Sequence, residues 1–504
     1  MILSRVIRHQ RLFSSPLRTF SSAPRSLVTS IPPRNLVTKE EGVHQTMSNT
    51  PKTWRNKPLF RRQGDVRFKT GQEAAELLIG EAKRRDSHES EYIDSVTSTM
   101  QCLAPIFDRY PQYAFLAKQL MEPERFIQFR VAWIDDVGVN RNNRGYRIQY
   151  SSSLGPYTGP LHFGAHINSS VIKSLGFEAI FSNSLTNYHI GAAVGGSDLD
   201  TFNKSEAEIQ RFCQSYMTEL AKYVGPDYDE PSFGMGVGQK EIGYLYGQYK
   251  RVSARGVGRG EHRFLGGGHG DFFKAPGFGV AHFTNEMLQS RNDALEGKRC
   301  LIVGSGKVAR ALAEKLLQYG AIPLSFSDSG GFVYEADGID LAKLETINKI
   351  KDERGARIGR YIIASATAQF NEPSNDIFDI PCDLCFPCGA MKQVDDEEVI
   401  KLADNGCMGV IEGGPSAVSC SARKLIKKRG LMFGPSTVTM TGTAIAESLG
   451  KKGGDDALKA ECSRIYQEAV ATAQEFNQRG DLVSGGNIAG FLRVANVMLS
   501  HGAV

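Results

Sequence analysis

The chain has 504 residues, 41% of them hydrophobic and 23% charged. That balance belongs to ordinary globular proteins of two or three domains and excludes a disordered or fibrous chain. The formal net charge of +5 resides in the first 37 residues, which hold six arginines and no acidic residue; without them 54 basic residues face 55 acidic ones. Nothing in the remaining charge argues for nucleic acid, and no stretch approaches the ~18 uninterrupted apolar residues of a membrane span.

The arginines of the first segment (Arg5, Arg8, Arg11, Arg18, Arg25, Arg34) are interleaved with serines and with Leu, Ile and Phe. This is the composition of an organellar transit peptide. Arg18-Thr19-Phe20-Ser21 resembles a mitochondrial processing site, so the matrix is the expected destination, with the plastid as alternative. A basic disordered arm for anionic partners is the competing reading. Residues 1–50 are taken as transit peptide and linker.

Residues 51–270 read as a first α/β domain. From Gln72 to about Tyr113 the apolar positions Ala75, Leu78, Ile79 and Ala82 recur with helical spacing. Mixed strands and helices follow to about residue 255, and Arg255 to Gly270 reads as a glycine-rich basic surface loop. Residues 271–450 carry a second domain. The apolar run Arg299-Cys300-Leu301-Ile302-Val303 predicts a buried parallel strand. It enters the turn Gly304-Ser305-Gly306-Lys307-Val308-Ala309, after which Ala311, Leu312, Lys315 and Leu316 keep helical spacing. Strand, GxGxxA turn and helix in that order form the dinucleotide fingerprint, with a pyrophosphate expected at the helix N-terminus. Leu324 to Ser329 reads as the second strand, placing Asp328 to meet a ribose hydroxyl. The cofactor-binding candidates are therefore Gly304, Ser305, Gly306, Val308 and Asp328. Residues 451–504 open with Lys451-Lys452-Gly453-Gly454 and continue as helices returning to the first domain.

Longer blocks carry a resemblance. They include Gln128-Phe129-Arg130-Val131-Ala132-Trp133-Ile134-Asp135-Asp136, Ser151-Ser152-Ser153-Leu154-Gly155-Pro156-Tyr157, Gly191-Ala192-Ala193-Val194-Gly195-Gly196-Ser197-Asp198 and Gly486-Asn487-Ile488-Ala489-Gly490-Phe491. From Gln72 to Val504 the chain resembles the glutamate dehydrogenase family, the Glu/Leu/Phe/Val dehydrogenases, in its hexameric NADP-type form. The resemblance implies an α/β fold: an N-terminal mixed α/β dimerisation domain plus a Rossmann dinucleotide-binding domain.

The resemblance also marks what is missing. Val194 stands where the family has its catalytic lysine, and Gly234 where it has the proton-transferring aspartate. Thr158, Ala179 and Ser182 replace two lysines and a glutamine that hold the substrate, and Glu447 aligns with a serine facing the substrate side chain. A charge-assisted hydrogen bond contributes roughly 1.5–3 kcal/mol, so losing three lysines removes on the order of 5 kcal/mol of binding. Loss of a general base costs about 10²–10⁴ in rate. At the nicotinamide end, Pro276 replaces the family's threonine, and Cys388-Gly389-Ala390-Met391 and Glu412-Gly413-Gly414-Pro415 replace two further loops.

These losses predict a pseudoenzyme with no catalytic residue. It would need no cofactor, although NAD(P) could still bind, and would serve as a structural or regulatory subunit in a mitochondrial homo-oligomer or larger complex. Two alternatives stand beside that expectation. One is an NAD(P)-dependent oxidoreductase acting on the CH–NH2 group of an amino acid with a rebuilt site; the other is an adenine-dinucleotide sensor.

Nine cysteines are scattered, and no disulfide framework is expected. Cys382, Cys385 and Cys388 have ligand-like spacing. The resemblance puts them on a buried strand, however, where side chains three apart point to opposite faces, so no metal is expected. His162, His166 and His189 match no metal motif and read as core or surface histidines.

Overall fold

A computed structural model describes residues 68–253, 273–389, 391–449 and 454–502. The transit-peptide segment, the Arg255–Gly270 loop and the break at Lys451–Gly453 lie outside the described residues. The helical stretch after Gln72 becomes α1 (Gly71–Arg85), α2 (Ser90–Arg109) and α3 (Tyr113–Leu120). Thr70 caps α1 by accepting the Glu73 N–H, and Ala75, Leu78, Ile79 and Ala82 form the buried face that the spacing requires.

The first sheet contains β1 (Arg125–Ile134), β2 (Asn140–Ser151), β3 (Tyr157–Phe163), β4 (Ala192–Ser197) and β5 (Asp229–Ser232), in the order β1-β2-β4-β3-β5. Pairs β1/β2 and β2/β4 are antiparallel, while β3/β4 and β3/β5 are parallel. Helix α4 (Ser169–Leu185) links β3 to β4, and α5 (Glu206–Leu220) and α6 (Gln239–Val252) cover the other side. Inside this layer Arg147 on β2 is fully buried against Asp229 on β5. Its Nε donates to Asp229 Oδ2 at 3.1 Å and its Nη1 to the Gly159 carbonyl at 3.1 Å. Gln149 adds a third donor to the carboxylate at 2.8 Å. A buried ion pair persists when further hydrogen bonds support it, as the Gln149 donor and the Gly159 acceptor do here; by gripping the Gly159 carbonyl it also fixes the strand that faces the cleft described below.

The second half begins with α7 (Ala275–Gln289), β6 (Arg299–Val303) and α8 (Lys307–Gln318). Its chain continues through β7 (Ile322–Pro323), β8 (Ser325–Asp328), β9 (Gly331–Tyr334), α9 (Leu341–Asp352), β10 (Gln369–Asn371), β11 (Leu384–Pro387), α10 (Asp396–Asp404), β12 (Gly409–Ile411), α11 (Cys420–Arg429) and β13 (Met432–Gly434). The main sheet is parallel in the order β13-β12-β11-β6-β7. One expectation needs correction. The strand expected over 324–329 forms as β8 but does not continue the main sheet: β7 just before it joins β6, while β8 forms a separate antiparallel sheet with β9 and β10. The serine side chains explain the split. Ser325 Oγ accepts from Ile302 N–H at 3.1 Å and Ser327 Oγ accepts from Gly304 N–H at 2.8 Å. Hydroxyls thus take ladder positions that backbone carbonyls would otherwise fill.

After β13, α12 (Ser436–Thr439) and α13 (Gly442–Leu449) lead to α14 (Asp455–Glu475) and α15 (Leu482–Ser500). Helix α15 packs on α2, α4 and α14, and Arg493 donates to the Ser184 and Tyr188 carbonyls at 2.9 and 3.2 Å. By length and composition α15 could cross a membrane, but 67% of its apolar window is buried against these helices.

Candidate active-site cleft

A cleft of about 1380 Å³ runs between the two halves. Its dinucleotide side is built by the end of β6. Gly304 adopts φ +120°, a backbone conformation that L side chains rarely take. Gly306 then caps α8 in an extended conformation, leaving the first-turn N–H groups of a 12-residue helix facing the cleft. Gly304, Ser305, Gly306 and Val308 all line it, joined by Lys307. The Lys307 ammonium sits 5.2 Å from the Phe273 ring, and burial lowers its pKa. An open Gly306, with nothing within 4 Å of an added Cβ, leaves room for a pyrophosphate at the helix end. The residues present therefore fit a dinucleotide, which would supply hydride transfer at its nicotinamide.

Asp328 also lines the cleft but is held differently from the expectation. Its Oδ1 accepts the Gly330 N–H at 3.0 Å, and its Oδ2 accepts the Ile358 N–H at 2.8 Å and Lys351 Nζ at 3.2 Å. The carboxylate braces the loop, and the polar groups beside it are Ser329, Lys351 and Arg357. Arg357 donates to Ser329 Oγ and lies 4.0 Å over the Phe202 ring from the opposite half. A hydroxyl with two cations suits a phosphate monoester better than a ribose diol. Nearby, Arg354 crosses the cleft, donating to Glu241 Oε1 at 2.6 Å and Glu206 Oε2 at 3.3 Å.

The opposite side comes from α4, β3 and β4. Leu175, Glu178, Ala179 and Ser182 occupy one face of α4 by their three- and four-residue spacing, and Val194 projects from β4. Four positions singled out from sequence, Ala179, Ser182, Val194 and Gly234, thus come together on the cleft. Thr158 does not join them. It is buried, and its hydroxyl donates to the Pro156 carbonyl at 3.1 Å. Ser182 returns its hydroxyl to the Glu178 carbonyl at 3.4 Å. Glu178 is enclosed, accepting from Ser95 and Ser416 at 2.6 Å each, and burial raises its pKa. Glu447 is buried on α13 and lines the cleft one turn beyond Thr443 and Ala444.

His162, expected as a core or surface histidine, is a buried residue that borders the cleft. It is only 7% exposed and lines the cleft together with His166. Its Nδ1 accepts the Met235 N–H at 3.1 Å, which assigns the ring proton to Nε2. Burial above all, then the neighbouring His166 and Arg147, lowers its pKa to about 4, so the ring is neutral at physiological pH. The signal was available in the period of two along β3, where Pro160 and His162 share the cleft face. His162 also crowds Gly234: a Cβ there would come within 2.3 Å of the Leu161 carbonyl oxygen and 2.9 Å of His162 Nδ1.

Pro276, Cys388, Gly389, Gly413, Gly414 and Pro415 border the nicotinamide end. Among the described residues no group of three or more His, Cys, Asp and Glu is placed to hold a metal ion. Cys385 lies within β11, Cys382 precedes it and Cys388 follows it, and burial raises the thiol pKa of Cys385 and Cys388.

A parallel Rossmann-type sheet with a glycine turn, facing a mixed sheet across one cleft, defines a dinucleotide-dependent dehydrogenase architecture. Residues 266–502 match the Glutamate/Leucine/Phenylalanine/Valine dehydrogenase family and residues 123–251 its dimerisation domain. The chain belongs to this family, and within it to the glutamate dehydrogenases. It is 38% identical to the NADP-specific glutamate dehydrogenase of Chlorella sorokiniana over 443 residues, covering 85% of this chain and 84% of that one. To the NADP-specific glutamate dehydrogenase of Escherichia coli (strain K12) it is 34% identical, covering 85% and 98%. The glutamate dehydrogenase structure from Plasmodium falciparum superposes with a TM-score of 0.78 at 37% identity, covering 86% of this chain and 95% of that one.

These relatives overturn the pseudoenzyme expectation. Proteins 33–38% identical over most of the chain bear the name glutamate dehydrogenase, which supports an oxidoreductase. The expectation that no cofactor is required gives way with it, because NAD(P) is the family's cofactor. Counting losses at Thr158, Ala179, Ser182, Val194 and Gly234 left out what the fold brings in, notably His162 and an open cleft.

Proposed function

We propose that this protein is an NAD(P)-dependent oxidoreductase acting on the CH–NH2 group of an amino acid, with its amino-acid end rebuilt. In the oxidative direction the substrate ammonium gives up a proton to solvent, and a bound NAD(P)+ would then accept hydride from Cα. Water then adds to the resulting iminium, and ammonium leaves to give a 2-oxo acid. The observation that carries this reading is that the phosphate-binding turn at Gly304–Gly306 opens on the same cleft as α4, β3 and β4. Ser329, Lys351 and Arg357 favour NADP over NAD, since a 2′-phosphate can take two cations and a hydroxyl. Among the described residues of β3, α4 and β4 no cation lines the cleft, while Leu175, Ala179 and Val194 do. An apolar side chain therefore suits this pocket better than the second carboxylate of glutamate.

We further propose a homo-oligomer in the mitochondrial matrix. Strand β1 is the open edge of its sheet and exposes Phe126 and Ile134, an edge that a second copy can cover. The arginine-rich first segment supports the location.

The test uses the full chain at near-stoichiometric concentration with NADPH, ammonium and a panel of 2-oxo acids, following nicotinamide absorbance. Decay with an apolar 2-oxo acid, abolished by Val194→Glu, is expected. A flat trace with every 2-oxo acid, beside an active relative, would sink the reading.

A further inference from the structure

His162 presents the unused chemistry of the cleft. Its Nδ1 is committed to the Met235 N–H at 3.1 Å, so Nε2 carries the hydrogen. Nε2 has no protein partner among the described residues, and it is not one of the side-chain nitrogens sealed from solvent. The ring is more than nine-tenths buried and borders the cleft, so the open side of Nε2 is the cleft itself. Backbone geometry holds the ring in place: β3 pairs with β4 through His162↔Gly196, and Arg147 anchors the same strand at the Gly159 carbonyl. Gly234 leaves the neighbouring space to the ring, because a Cβ there would press on both Leu161 and His162.

We propose that His162 donates its Nε2–H to an oxygen of a 2-oxo acid bound in the cleft, orienting and polarising it as a neutral hydrogen-bond donor. The proposal rests on the amino-acid oxidoreductase reading above. A fixed neutral donor stabilises negative charge as it develops on that oxygen, without itself losing a proton. Held neutral, the His162 ring does not itself switch charge across the physiological range, unlike an exposed histidine.

Two substitutions separate this role from a structural one. His162→Asn keeps an oxygen near Nδ1 to receive the Met235 N–H but cannot reach the Nε2 position. His162→Gln places an amide N–H near Nε2 and gives up the Met235 bond. Binding of 4-methyl-2-oxopentanoate to the full chain saturated with NADPH is measured by titration calorimetry, with NADPH affinity as the control for folding. The expected result is at least a tenfold loss of 2-oxo acid affinity in His162→Asn, the lower end for a hydrogen bond to a charged group. His162→Gln stays within about threefold, and NADPH binding is unchanged in both. Equal losses in the two variants, no loss in either, or no binding of the 2-oxo acid to the parent protein would overturn the assignment. Turnover separates the two proposals. His162-dependent binding without turnover keeps the donor and rejects the oxidoreductase reading, whereas turnover indifferent to His162 does the reverse.

Discussion

Arg357→Ala tests the group proposed to distinguish the two dinucleotides. Arg357 belongs to a cluster with Ser329 and Lys351 beside Asp328, and its side chain is 42% exposed. A charge-assisted hydrogen bond contributes roughly 1.5–3 kcal/mol, and exposure places Arg357 at the lower end. About 1.5 kcal/mol corresponds to roughly a tenfold weaker affinity for NADPH. NADH lacks the 2′-phosphate and should change by less than about twofold. Solvent access also predicts screening: raising ionic strength from about 0.01 to about 1 M shortens the Debye length from about 30 to about 3 Å, so the difference between parent and variant shrinks with salt. Quenching of protein fluorescence, titrated with NADPH and with NADH at both salt levels, measures all four affinities. Equal losses for both cofactors would show that Arg357 acts by holding Ser329 and Phe202 in place, and the phosphate argument would fall.

Asp229→Asn should destabilise the protein by about 3–5 kcal/mol in equilibrium urea denaturation, because it leaves the buried Arg147 guanidinium without its counter-charge; a change below about 1 kcal/mol would refute this. His162 has its pKa lowered from 6.5 to about 4. The unfolded chain therefore takes up a proton below pH 6.5 that the folded one refuses. Its contribution is fully present above pH 6.5 and is lost as pH falls to about 4, on the order of 3 kcal/mol in all. Comparing acid destabilisation of His162→Gln with that of the parent checks the sign: the variant should lose less stability over this window, and parallel curves would reject it. Gly234→Asp should lower the melting temperature and fail to raise activity, since its Cβ would come within 2.3 Å of the Leu161 carbonyl oxygen; a stable, faster variant would contradict that geometry.

The fold was readable where local signals agreed with one another. The run Arg299–Val303, the turn at Gly304–Gly306 and the helical spacing after it became β6, a glycine turn and α8. The split between β7 and β8 was not readable, because it depends on serine hydroxyls meeting β6 backbone groups about 23 residues away. Site positions such as Val194 and Ala179 were found through the resemblance, which shows only what has been replaced. It says nothing of a replacement at a position the family motif does not feature, so no chemical role is expected of His162 from sequence. Thr158 shows the converse error: its motif position places it at the site, yet its side chain turns back on its own backbone. Asp328 was located correctly in sequence, but its role depended on Lys351 and on the Gly330 and Ile358 N–H groups, which no spacing rule links to it.

Arg354 joins Glu206 and Glu241 across the cleft, three residues from Lys351 and three from Arg357. One short stretch therefore carries both the cations proposed to meet a cofactor phosphate and the contact that ties the two halves. A redesign toward NAD that rewrites residues 351–357 would also disturb the contact Arg354 makes with Glu206 and Glu241, so it should be read out on stability as well as on cofactor affinity.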